Sequence, residues 1–169
     1  MYIKIYTMSD ITISIPCDPY LRQWIVCACG GTTPVHFRKG TPEAIFLETF
    51  LAKLPAGTIP LKPGPDMLTI ALPTFRHKSP LTYCWLSLAS TEALLKLLRR
   101  RFDLALWTDL ATLRNYYRRK DLLIAAWMQS NGIDDTERNT LAVTKRLQRL
   151  TARMAARERM RRTRSEKTH

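Results

Sequence analysis

The chain opens on two short stretches in which apolar and polar residues alternate, YIKIY at 2–6 and ITISI at 11–15. Period-two alternation of β-branched and aromatic residues predicts strands, or one strand interrupted at Met8-Ser9-Asp10, closed by Pro16. The spacing then changes. Asp18-Pro19-Tyr20 has the form of a helix start, and Leu21, Trp24, Ile25 and Ala28 fall on one helical face before Gly30-Gly31. Residues 34–37 read as a short extended piece. Thr41-Pro42-Glu43 gives a cap, a proline in the first turn and an acid at the positive helix end. Ile45, Leu47, Phe50, Leu51 and Leu54 follow at helical spacing, and Pro55 and Gly57 end the run. Residues 55–66 hold four prolines and two glycines, which makes a loop. Met67–Leu72 reads as a strand closed by Pro73, and a further loop leads to Tyr83-Cys84-Trp85-Leu86.

From Ser90 the helical period takes over. One helix is expected from Ser90 to about Phe102, and a second from Trp107 to Ser130 with Leu110, Leu113, Tyr117, Ile124 and Met128 near one face. Asn131-Gly132 suits a helix end, and Asp134-Asp135-Thr136-Glu137 suits the next start. The last helix is expected to reach about Arg162. The reading is an α+β chain: a β-containing body at 1–88, a helical basic region at 89–162, and a frayed, disordered tail at 163–169.

Charge sharpens this division. The chain has 169 residues and a net charge of +13, enough length for one ordinary domain with an extension. Residues 1–84 hold eight Lys/Arg and five Asp/Glu, net +3, whereas 85–169 hold nineteen and nine, net +10. A field of this sign concerns partners rather than fold. Residues 145–167 carry ten Lys or Arg against two Glu, yet keep an apolar stripe at Val143, Leu147, Leu150 and Met154. Arg146, Arg149, Arg153 and Arg157 repeat at similar spacing beside it. A basic amphipathic helix of this kind fits a polyanion, and nucleic acid, duplex DNA in particular, is the expected partner. The stripe lacks Trp and Phe, which argues against a membrane surface. No run approaches the length of a membrane span. The start lacks the form of a signal peptide, so the expected compartment is the cytoplasm, with cysteines 17, 27, 29 and 84 reduced.

Two further basic clusters precede the last helix, Arg99-Arg100-Arg101 and Arg118-Arg119-Lys120, the second beside Tyr116 and Tyr117. Of these, Tyr116 is the candidate for stacking on an exposed base. The segment from Leu122 to Leu150 has the outline helix, glycine-containing turn, helix. It suits a helix-turn-helix, although any helical hairpin shares that outline. On that reading Arg138, Asn139 and Thr140 face base edges, since Asn and Arg pair with adenine and guanine. Lys145, Arg146, Arg149, Arg153, Arg157, Arg161 and Arg162 hold phosphates.

Other chemistry is poorly supplied. Cys27-Ala28-Cys29 has one residue between its cysteines where structural zinc sites use two to four, so the expectation is apolar thiols and no metal. Gly30-Gly31-Thr32-Thr33 matches no phosphate-binding loop. His36 and His77 stand alone in sequence, and Asp134-Asp135 is explained by capping. No cofactor and no enzymatic activity are expected. Two alternatives share the same residues: an assembly role, in which the heptad-like stripe pairs the last helix with its copy as a homodimer, and RNA binding.

Trp127, Gly132-Ile133, Asn139, Lys145-Arg146 and Gln148-Arg149, with Asp18-Pro19-Tyr20, Gln23-Trp24, the Gly-Gly pair and Pro34-Val35, give the chain a resemblance to small basic proteins of phages and mobile elements of Bacteroides-like bacteria. The resemblance spans most of the chain and implies a regulator or accessory factor of such an element that binds DNA. It assigns no role to any residue.

Overall fold

The computed structural model describes residues 11–113 and 119–166. The strand expected at 2–6 lies outside this range, as do Tyr116, Tyr117 and Arg118 of the second basic cluster. The element order is β1 (Thr12–Pro16), α1 (Pro19–Ala28), α2 (Pro42–Phe50), β2 (Ala52–Lys53), β3 (Met67–Ala71), β4 (Tyr83–Trp85), α3 (Leu88–Leu113), α4 (Lys120–Ser130) and α5 (Glu137–Glu166). The fold is α+β with a helical C-terminal half.

Two compact units share the chain. The first runs to Asp18 and resumes at Ile25–Leu98; the second combines Pro19–Trp24 with the chain from Arg99 onward. The division therefore falls within α1 and α3, later than the change of character at residue 88.

In the first unit β1 pairs antiparallel with β3, Ile13 opposite Ile70 and Ile15 opposite Leu68. Val35 adds a parallel bridge to Ile70, with its N–H donating to the Thr69 carbonyl. Ile15, Val35, Leu68 and Ile70 are buried, as apolar β-branched and branched side chains on a paired sheet should be. Ser14 and Thr69, both buried, bond each other at 3.2 Å across the strands, which satisfies two hydroxyls that would otherwise be costly to desolvate. α2 begins as expected, the Thr41 hydroxyl accepting the Ala44 N–H. It ends at Phe50 instead of running to Leu54. Leu51 turns to an extended conformation and Ala52–Lys53 pairs with β4. Lys78 Nζ holds this ending by donating to the Thr49 and Leu51 carbonyls, each at 2.9 Å. Ile45 and Phe50 of this helix are about half exposed.

α3 is one helix where two were expected. Asp103-Leu104-Ala105-Leu106 contains no helix breaker. The row Leu94, Leu98, Phe102, Leu106, Leu110 stays buried at every fourth position across it. In the second unit Phe102 meets the rings of Tyr20, Trp24 and Trp127 edge-on, with centroids 5.1–5.4 Å apart. Edge-to-face packing suits the quadrupoles of aromatic rings. The Trp127 indole N–H donates to Asp109 at 2.9 Å, so this buried ring keeps a polar partner.

Candidate nucleic-acid interface

α4 ends where the sequence predicted, and its end aims α5. Gly132 takes φ 66°, the Ile133 N–H reaches back to the Met128 carbonyl at 2.9 Å, and Gly132 N–H to that of Gln129. These are the paired bonds of a Schellman ending, with the buried Ile133 as its apolar contact. α5 then starts under Thr136, whose hydroxyl accepts the Asn139 N–H.

Three anchors hold the first half of α5 in the second unit. Val143 is fully buried, and Leu147 and Leu150 are half-buried. Asn139, 2 % exposed, donates from its amide nitrogen to Gln23 Oε1 at 3.0 Å and to the Asp134 carbonyl at 3.1 Å. Gln23 completes the clasp by bonding the Asp134 carboxylate and accepting its N–H. Arg146 forks onto Asp103, Nε to Oδ1 and Nη2 to Oδ2, and also reaches the Tyr20 hydroxyl. Burial lowers the pKa of Arg146. The Asp103 hydrogen bond and the neighbouring Tyr20 and Asp103 charges outweigh that and raise it above its ordinary value. The guanidinium is thus held cationic while committed to the protein itself.

These anchors correct two expectations. Asn139 does not face a base, because its amide is buried and satisfied within the protein. Arg146 does not stand ready for a phosphate, because a half-buried carboxylate already takes its planar fork. α4 and α5 are joined by a glycine-containing turn, and Asp134, Asp135 and Glu137 are exposed around the start of α5. Those carboxylates would meet a phosphate backbone with the wrong sign.

Past Leu150 the helix changes surroundings. Every residue from Thr151 to Arg164 is exposed, while the helix itself continues to Glu166, beyond the expected fraying at 163. Residues 151–166 extend about 24 Å at 1.5 Å per residue and hold six arginines and two glutamates. The apolar seam of 143, 147 and 150 reaches Met154, already 40 % exposed, and continues at the same spacing as Arg157, Arg161 and Arg164. The seam turns from apolar to cationic where burial ends.

Next to this seam lies a second pattern. At ~100° per residue, Arg138, Lys145, Arg149, Arg153, Arg157, Arg159 and Arg164 fall within about 160° of the helix circumference. All seven are exposed, and Glu137 and Glu158 lie outside that arc. Arg162 sits on the opposite side, paired with Glu158 at 2.7 Å. Arg159 and Arg164 were not singled out from the sequence, although their helical angles alone place them with Arg153 and Arg157. Arg119 and Lys120 are exposed at the start of α4. Arg119 is raised in pKa and Asp121 lowered, chiefly through the side-chain hydrogen bond that joins them.

Elsewhere, Cys17 is buried but Cys27 is exposed, contrary to its place in an apolar run. Among the described residues no three His, Cys, Asp or Glu side chains gather to hold a metal, and no helix is long and apolar enough to cross a membrane. The chain matches no protein-family model, no curated protein and no solved structure.

Proposed function

We propose that the protein is a non-enzymatic nucleic-acid-binding protein whose ligand is duplex DNA, held by the exposed cationic face of α5. The observation that carries this reading is the set of seven exposed Lys and Arg from Arg138 to Arg164, gathered within about 160° of the helix circumference. Arginines there take phosphate oxygens bidentately and release condensed counterions, which supplies affinity without base recognition. The arginines that occupy the seam at 157, 161 and 164 weigh against self-pairing of the arm, since two copies would set like charges face to face. A role in regulation, replication or transposition of a phage or mobile element rests on the resemblance of the sequence alone.

The test is a salt titration of duplex DNA binding, for the full chain and for a chain ending at Leu150. The full chain should weaken steeply as salt rises. The shortened chain lacks four of the seven face residues, Arg153, Arg157, Arg159 and Arg164, and should lose up to about 3.6 from the slope of log K against log salt, at ~0.9 per phosphate contact. Equal slopes would sink the reading.

A further inference from the structure

Resting on that reading, we propose that helix formation in the arm of α5, residues 151–166, is coupled to its polyanion. Phosphates seated on the cationic face hold the arm helical, and the arm loosens when they leave. The argument comes from a row of like charges. Lys145, Arg149, Arg153, Arg157 and Arg161 stand four residues apart, and all five are exposed. Side chains at this spacing are neighbours on a helix, about 5–6 Å apart at Cβ, and like charges there destabilise it. The row makes four such pairs. Opposing it, Glu158 and Arg162 form a pair of opposite sign at 2.7 Å.

In the first half of α5 the buried Val143, the Asn139 clasp and the Arg146–Asp103 fork offset this repulsion. Past Leu150 packing contributes little, because Thr151 to Arg164 are all exposed. Two features keep the helix within reach. Ala152, Ala155 and Ala156 are strong helix formers. The docked half is also a ready nucleus, so the arm has only to propagate. Short helices without packing are nonetheless marginal in water, which leaves the arm's own charges to decide the balance. Lys145, Arg149, Arg153 and Arg157 belong to the cationic face as well as to the row. Phosphates bound there neutralise the charges that oppose the helix. By linkage, whatever the ligand adds to the helix, the helix adds to the affinity.

The test combines far-UV circular dichroism with duplex DNA binding. For the full chain without DNA, raising ionic strength from about 0.01 M to about 1 M shortens the Debye length from ~30 Å to ~3 Å and should deepen the helical signal. The chain ending at Leu150 should gain nothing comparable; equal gains in the two would place the effect in the body and overturn the proposal. Arg153→Glu sets a carboxylate four residues from both Arg149 and Arg157, so it should deepen the signal of the free full chain at low salt. An unchanged signal overturns the proposal. Ala155→Gly, outside the cationic arc, removes no charge. It should weaken DNA binding about fivefold, the cost of Gly against Ala in a helix, and leave the salt slope as it was. If affinity is unchanged, the arm is helical before DNA arrives, and the coupling is overturned with nucleic-acid binding intact. Failure of the full chain to bind any duplex at low salt overturns both this inference and the function beneath it.

Discussion

Asn139 shows how far a single residue's role depends on what lies across the fold from it. At the third position of a basic helix, an asparagine has the local form of a base reader. Its partner Gln23 stands 116 residues earlier in the chain, at 3.0 Å, and no local pattern announces such a pairing. The cationic face, by contrast, was legible because charge and helical period are properties of a short window. Asn139→Leu removes the donor to two acceptors in a buried clasp, so stability should fall by about 1–3 kcal/mol, seen as a lower denaturation midpoint. DNA affinity at a temperature where the variant is folded should be unchanged. A selective loss of affinity would restore the base-reading role. Arg146 follows the same logic. Arg146→Ala strands the half-buried Asp103 carboxylate and should cost about 2–3 kcal/mol, and adding Asp103→Ala should recover part of it. Recovery of nothing in this cycle would show that Asp103 is not the partner that matters.

Elements were read correctly where their boundaries carry their own chemistry and incorrectly where tertiary contacts set them. Thr41-Pro42 starts α2 as a cap and a first-turn proline dictate. The helix stops early because Lys78, distant in sequence, bonds its last carbonyls and β4 recruits the next two residues. α3 passes through an expected break because its buried row never loses step. The α4–α5 turn is the clearest local success: Asn131-Gly132 ends one helix, and Gly132 needs a positive φ of 66° that a Cβ disfavours. Gly132→Ala should therefore destabilise the protein by about 1–2 kcal/mol. It should do so through the turn, leaving the isolated capacity of α5 to bind phosphates in place. A thermal melt unchanged within error would mean that the turn relaxes to another conformation at no cost.

For the molecule as a whole, the open choice is between a diffuse field and a placed one. A chain of net charge +13 attracts DNA whatever its fold, so attraction alone says nothing about α5. Ending the chain at Leu150 removes seven Lys/Arg and two Glu, which leaves 13 − 5, or +8. Replacing Arg38, Lys39, Lys62, Lys96 and Arg100, all exposed and none on α5, by Gln also leaves 13 − 5, or +8. The two proteins have the same net charge and differ in where it was taken from. If the face of α5 is the interface, the body-neutralised chain keeps nearly the full salt slope and loses mainly association rate, because charges off the interface steer but do not contact. The shortened chain loses most of its slope at the same net charge. Equal slopes in the two would assign binding to the overall field and remove the arm's special place. Unequal slopes in the expected direction would tie it to the part of the cationic face that lies past the buried seam of α5.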